Sequence, residues 1–205
     1  RNRSWWFRPR PMKQVLKQVN LSLRKGEIVG LVGESGSGKS TLAKVIMNLE
    51  RVTSGHILWK GQSINGKYAK ERQLYKQMQL VLQDSASSLY PGMSVGEIVE
   101  EPIRNYFPEI NSREELCASL LERVGLDRSF LTRYPDQLSG GQKQRVCIAK
   151  ALAVKPDLII FDESIASLDS DSQQSMTRML KRIQEQEEMT YLFITHDLAS
   201  AQQLC

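Results

Sequence analysis

Four short, mostly apolar runs are spread along the chain: residues 28–32, 78–82, 158–161 and 190–195. Runs of this length, bounded by turn residues, read as strands buried in an α/β sheet. Between them the apolar spacing changes to helical. Residues 41–47 are helix-compatible. Leu116, Leu120, Leu121 and Val124 make an i, i+4, i+5, i+8 face, with Ser112 and Glu115 as a capping box before it and Gly125 as a stop after it. A helix opens at residues 138–142 and runs through Ala153, where Lys155-Pro156-Asp157 breaks it. Met176, Met179, Leu180 and Ile183 are the core face of a further long helix. Shorter alternating stretches, Val15-Leu16, residues 19–23 and residues 56–60, read as strands, the last closed into a hairpin by residues 61–63. The pattern predicts an α/β core over residues 1–83 and 136–205, with a β portion near its start. A helical segment, 84–135, is inserted in it and carries its own apolar stripe.

The polar residues at the strand ends carry the chemistry. Directly after the first run stands Gly33-Glu34-Ser35-Gly36-Ser37-Gly38-Lys39-Ser40-Thr41, a G-x-x-x-x-G-K-[ST] loop in the strand–loop–helix setting this pattern needs. Its glycines let backbone N–H groups turn inward around phosphates, and the following helix N-terminus adds partial positive charge. In such a loop Lys39 can reach the β- and γ-phosphates and Ser40 can hold Mg²⁺. Gln83 follows the second run, and His196 follows the last, so both stand where α/β sheets bind ligands. Asp162 and Glu163 end the third run. Two carboxylates there are costly without work to do; Asp162 suits Mg²⁺ and Glu163 suits activation of water. Ser139-Gly140-Gly141-Gln142 at a helix start is a second anion-binding backbone, and Ser167-Leu168-Asp169 leads into the next helix.

Composition narrows the class. The chain has 205 residues, 40% hydrophobic and 25% charged, ordinary for a soluble globular domain. No apolar run approaches the roughly 20 residues needed to span a bilayer, and the basic start lacks the apolar stretch of a signal peptide. A net charge of +5 is a weak signal for an anionic partner. Cys117, Cys147 and Cys205 are far apart and odd in number, which fits a reducing compartment. Residues 1–14, with Trp5, Trp6 and Phe7 among arginines and prolines, read as a surface loop whose alternative use is stacking on a base. His56 reads as a surface residue and Trp59 as sheet packing.

The phosphate loop, residues 138–142, the strand ending in Asp162-Glu163, Asp169 and His196 occur in one order that resembles the ATP-binding cassette (ABC) ATPases. In that resemblance Gln83 matches the Q-loop, Ser139–Gln142 the signature motif, Asp169 the D-loop and His196 the switch histidine. Gln83-Asp84, Ser87-Ser88-Leu89-Tyr90-Pro91, Val95-Gly96-Glu97-Ile98, Tyr134-Pro135 and the Gly33-Glu34-Ser35-Gly36 start of the loop are similar to the oligopeptide, dipeptide and nickel importer branch. Residues 5–10 resemble an insertion of that branch. The family's adenine-stacking aromatic then falls upstream of Arg1, and family members continue beyond Cys205, so a chain trimmed at both ends is expected. Ser164-Ile165 depart from the usual Pro-Thr after the catalytic Glu, and Ser85 from a common Pro.

The resemblance implies a P-loop NTPase core (mixed sheet, flanking helices, antiparallel β edge) with a helical ABC subdomain. It implies ATP and Mg²⁺ as ligands, with Ser40, Gln83 and Asp162 around the metal, Glu163 as general base, His196 on the γ-phosphate and Lys39 on developing charge. Ser139, Gly140, Gly141, Gln142 and Asp169 are expected to act in trans, across a dimer with an identical or paralogous ATPase. The expected function is ATP-driven import of peptides or nickel complexes through integral-membrane permease subunits, fed indirectly by an extracytoplasmic binding protein. The chain would then lie peripherally on the cytoplasmic face of the membrane, without a nucleic-acid partner. The alternatives are a soluble ABC-type ATPase acting on ribosomes or DNA, and a regulatory ATP-binding module.

Overall fold

The apolar runs become four parallel strands in a computed structural model that describes residues 14–65, 72–84, 88–165 and 168–205. In chain order the elements are β1 (Ile28–Val32), α1 (Lys39–Ile46), β2 (Leu58–Trp59), β3 (Gln62–Ser63), α2 (Arg72–Gln77), β4 (Met78–Val81), α3 (Val95–Tyr106) and α4 (Arg113–Arg123). Two 3₁₀ turns (Arg128–Thr132, Pro135–Gln137), α5 (Gly140–Leu152), β5 (Leu158–Asp162), α6 (Ser170–Glu187), β6 (Thr190–Thr195) and α7 (Leu198–Leu204) follow. The main sheet has the order β1-β6-β5-β4, with every neighbouring pair parallel. Strands β2 and β3 form a separate antiparallel hairpin. The fold is the α/β P-loop class, a parallel sheet covered by helices on both faces.

Period-two alternation sorts the sheet's side chains onto two cores. Leu158, Ile160, Leu192 and Ile194 pack with Ala43 of α1, Met47 at its C-cap and Leu74 of α2. Ile159, Phe161, Tyr191 and Phe193 point the other way, into a cluster shared with α3, α4, α5 and α6. There Phe161 meets Tyr191 edge-on, centroids 5.1 Å apart. Because β5 and β6 are buried along their whole length, their sequences are apolar runs and not alternations.

Several expectations are corrected. Residues 14–23 contain no strand: Val15, Val19 and Leu21 are exposed, and no strand among the described residues offers them a ladder. Without a neighbouring strand, backbone groups here turn to local side chains and water: Gln14 Nε2 donates to the Leu16 carbonyl and Asn20 Nδ2 to that of Gln18. The strand expected over 56–60 contracts to Leu58–Trp59, because the Asn65 side chain takes the Ile57 N–H at 2.8 Å. Its hairpin turns through Lys60 and Gly61, both at positive φ (48° and 79°), the mirror-image turn that matches strand twist. Ser112 is the N-cap of α4 but makes no capping bond, and Glu115 bonds Arg128 at 2.7 Å instead. A capping box does form at Ser94–Glu97, ahead of α3. The stop at Gly125 holds in detail. With φ +77°, its N–H donates to the Glu122 carbonyl and that of Leu126 to Leu121, a Schellman closure. His56 is exposed, and Trp59 is half-buried with its Nε1 donating to Gln77 Oε1 at 2.6 Å. The readings placed on Trp5, Trp6, Phe7, Ser85, Ser87 and Ser167 lie outside the described residues.

Candidate functional site

The carboxyl ends of β1, β6, β5 and β4 lie side by side, so the loops that follow them meet at one edge. Residues 33–38 leave β1 and turn into α1. The turn uses Gly36 and Gly38 at φ 80° and 99°, a region L side chains rarely adopt. Gly38 is also the N-cap of α1. The loop is anchored from the neighbouring strand, since the Gly33 N–H donates to the Thr195 carbonyl.

Lys39 is 7% exposed, and its Nζ donates to the Gly33 and Glu34 carbonyls at 2.7 and 2.9 Å. The same ammonium lies 3.5 Å from Glu163 Oε1. The other oxygen, Glu163 Oε2, is 3.4 Å from His196 Nδ1. Glu163 is therefore held between a buried cation and a half-exposed imidazole. Its backbone sits at φ +49°, and its N–H donates to the Ile194 carbonyl at 2.9 Å. A non-glycine residue in that region stores strain of order 1–3 kcal/mol, and such residues concentrate at functional sites.

Beside this group, the Ser40 hydroxyl donates to Asp162 Oδ1 at 3.0 Å. Asp162 is 6% exposed. Burial pushes its carboxyl above the ordinary range, against the Ser40 hydrogen bond, and the neighbouring Glu163 charge pushes the same way. Among the described residues no cluster of three or more His, Cys, Asp or Glu side chains forms a metal cage. The pair Ser40–Asp162 offers two hard oxygens and leaves further positions to phosphate and water, which is the donor set Mg²⁺ prefers.

Gln83 is exposed and follows β4, whose Val81 lies opposite Phe161 of β5. It leaves the sheet at the same edge as Glu163, but no hydrogen bond ties it to Ser40 or Asp162. The remaining predicted residues form a second group. Ser139 caps α5 by a reciprocal box with Gln142: the hydroxyl accepts the Gln142 N–H at 3.3 Å, and Gln142 Oε1 accepts the Ser139 N–H at 2.9 Å. The Lys143 N–H closes onto the Ser139 carbonyl. The first-turn N–H groups left over are those of Gly140 and Gly141. A Cβ on Gly140 would meet nothing within 4 Å, and one on Gly141 would lie 3.9 Å from Ser172 Oγ. Asp169 is the N-cap of α6, accepting the Ser172 N–H at 2.9 Å, which holds its carboxyl below the usual range. Ser139–Gln142 and Asp169 thus stand together, and no hydrogen bond or ion pair joins them to Lys39, Asp162 or Glu163 of the same chain.

One neighbour of the phosphate loop went unrecognised in the sequence. Val15 Cγ1 and Leu16 Cδ2 each lie 3.2 Å from where a Cβ on Gly38 would sit. Nothing local to Val15 signals this, since the contact is made across 22 intervening residues by tertiary packing.

Comparison with known proteins agrees with the geometry. A family model described as ABC transporter matches residues 16–166. The oligopeptide transport ATP-binding protein OppF of Escherichia coli K12 is 39% identical over 96% of this chain, which spans 60% of OppF's length. The nickel import ATP-binding protein NikE of Shigella boydii is 44% identical over 93% of the chain and 72% of its own length. Among solved structures, a dimeric post-hydrolysis state of the ATP-binding cassette MJ0796, bound to ADP and Pi, superposes with a TM-score of 0.80 at 32% identity. The match covers 92% of this chain and 83% of that one. CbiO1 from Clostridium perfringens, part of the transporter complex cbiONQ, superposes at 0.83 with 27% identity, over 93% and 75% of the two chains.

Proposed function

The chain belongs to the ABC transporter family, and from that premise we propose that it hydrolyses ATP to power an importer of peptides or nickel complexes. The observation that carries the catalytic reading is the linked set Lys39–Glu163–His196 beside Ser40–Asp162, all at the carboxyl edge of one parallel sheet. The substrate class follows OppF and NikE, whose names are a peptide and a nickel transporter.

The roles follow from position. The inward N–H groups of residues 33–38 and the α1 N-terminus bind the phosphates. Lys39 leaves its loop carbonyls to neutralise charge building on the β- and γ-phosphates. Ser40 and Asp162, with Gln83 through water, are the residues that would hold Mg²⁺, which when bound neutralises phosphate charge. Glu163 Oε2 accepts a proton from the attacking water, and His196 beside it steadies both that carboxylate and the γ-phosphate. Because Ser139, Gly140, Gly141, Gln142 and Asp169 sit apart from this set, they act on a second molecule's nucleotide. ATP closes two such chains, or this chain and a paralogue, face to face, and the closed interface excludes water around the γ-phosphate. Hydrolysis transfers the γ-phosphoryl group to water, leaving ADP and inorganic phosphate, and with the bridging phosphate gone the pair opens. Residues 84–135, entered through Gln83, pass that motion to integral-membrane permease subunits, with an extracytoplasmic binding protein supplying the substrate. The chain works peripherally at the cytoplasmic face, consistent with no described helix being long and apolar enough to cross a membrane.

The test is mass spectrometry of what co-purifies with the tagged protein from its own cell in mild detergent. Two polytopic membrane proteins, with or without a second cassette ATPase, support the reading. Ribosomal or DNA-processing partners without membrane subunits overturn it.

A further inference from the structure

Arg145 lies on α5, one and a half turns in from Ser139, half-buried, and has no carboxylate within salt-bridge distance among the described residues. A partly buried cation without a counter-ion is expensive, and burial holds its pKa below the ordinary range. Its hydrogen bonds go instead to two other helices. Nη1 donates to the Val124 carbonyl, at the C-cap of α4, and lies 3.2 Å from Met179 Sδ on α6. Nη2 donates to Ser175 Oγ on α6 at 2.9 Å. The carbonyl end of α4 is the negative pole of that helix, so it partly replaces the missing counter-ion. The Schellman turn is built around the same contact, since a Cβ on Gly125 would come 3.0 Å from Nη1. Two further ties join α4 to α6: Arg123 pairs with Glu187, and Arg182 Nη2 donates to the Arg123 carbonyl at 3.1 Å.

The three helices joined here carry the whole second group of site residues. α5 begins at Ser139-Gly140-Gly141, α6 begins at Asp169, and α4 belongs to the helical insertion. The planar fork of arginine presents separated donors in a fixed geometry, so Nη1 and Nη2 reach a carbonyl on one helix and a hydroxyl on another with less ordering than the single ammonium of a lysine would need. We propose that Arg145 is a positioning residue for the half-site presented to a partner. It binds α4, α5 and α6 into one rigid unit, so that the Gly140 and Gly141 N–H donors and Asp169 reach the partner's nucleotide together. This rests on the trans reading given above. Arg145 touches none of Lys39, Ser40, Asp162, Glu163 or His196, so its loss leaves nucleotide binding by its own chain intact and weakens closure.

The experiment compares Arg145→Met, Arg145→Lys and Ser175→Ala in the full-length protein, each with and without Glu163→Gln, which slows hydrolysis and lets the ATP-bound dimer be weighed by analytical ultracentrifugation. Glu163→Gln alone is expected to dimerise with ATP and Mg²⁺. Adding Arg145→Met weakens that dimer at least about tenfold, while ATP affinity measured below the dimerisation range stays within about twofold. Without Glu163→Gln, Arg145→Met lowers kcat about tenfold with KM for ATP little changed, Ser175→Ala shifts both in the same direction by less, and Arg145→Lys falls between Met and the parent. Dimerisation and kcat within twofold of the parent for a folded Arg145→Met overturn the proposal. If that variant does not fold, parental values for Ser175→Ala overturn it. Equal loss of ATP affinity and dimerisation also overturns it, since that marks a general structural defect. Failure of Glu163→Gln itself to dimerise sinks the trans reading and the proposal with it.

Discussion

Ser40 and Asp162, 122 positions apart in the sequence, are joined by a 3.0 Å hydrogen bond from hydroxyl to carboxylate. The bond closes the phosphate loop onto the end of β5 and brings together the two oxygens suited to Mg²⁺. Ser40→Ala removes one of them and leaves Asp162 buried without its donor. The expected result is a severalfold rise in the Mg²⁺ concentration for half-maximal ATP turnover, read by phosphate release across a Mg²⁺ titration. An unchanged titration curve counts against the pair as the metal-binding residues.

Glu163→Gln keeps the size of the side chain and removes the base. Turnover is expected to fall by about 10²-fold or more, the lower range for a general base, with ATP affinity nearly retained. Single-turnover phosphate release together with a nucleotide-binding titration checks it. Near-normal release contradicts the assignment.

Lys39 is tied to the Gly33 and Glu34 carbonyls and lies 3.5 Å from Glu163, so its removal both loosens the loop and takes away phosphate charge neutralisation. Lys39→Ala is expected to weaken ATP binding at least about tenfold, roughly 1.4 kcal/mol. Calorimetric titration tests this, and equal affinity in the two proteins refutes it.

Alkaline pH should destabilise the fold through two thiols. Burial pushes Cys117 up to about 12 and Cys147 up to about 11, from an ordinary 9.0. Both are raised in the folded state, so the unfolded chain loses these protons first. Their contribution to stability is complete below pH 9.0 and is lost as pH rises towards 11–12. Denaturant midpoints should drop across that window, and less steeply in Cys117→Ala/Cys147→Ala. An identical slope in the double variant removes the thiols as the cause.

Gly125→Ala places a side chain at φ +77° and a Cβ 3.0 Å from Arg145 Nη1. The backbone conformation alone costs an L-residue about 1–2 kcal/mol, with the arginine contact added to it. Thermal unfolding should show a lower midpoint. A midpoint equal to that of the parent means the helix end reshapes freely.

What the amino-acid sequence determined by itself had local causes, although one local device, the Ser94–Glu97 capping box of α3, was not read from it. The strands β5 and β6 were legible because a segment buried on both faces must be apolar throughout, and β1 and β4, less fully buried, because each is a short, mostly apolar run. The phosphate loop was legible because its glycines, lysine and serine all act within nine consecutive residues. The end of α4 at Gly125 was legible because a positive φ favours glycine. Tertiary structure alone decided matters that depend on distant partners. Residues 14–23 carry strand-like spacing, yet a strand needs a neighbour to complete its ladder, and none stands beside them among the described residues. Ser112 and Glu115 have capping-box spacing, but Arg128 claimed the glutamate, and a 2.7 Å bond to a guanidinium competes well with a backbone N–H. Arg145 carries no sequence signal for its three-helix contact, since its partners at 124, 175 and 179 are 21, 30 and 34 residues away. The division of the site into two groups was likewise decided by packing. Spacing along the chain orders the motifs, and only the fold places Glu163 against Lys39 and His196 while leaving Ser139–Gln142 beside Asp169.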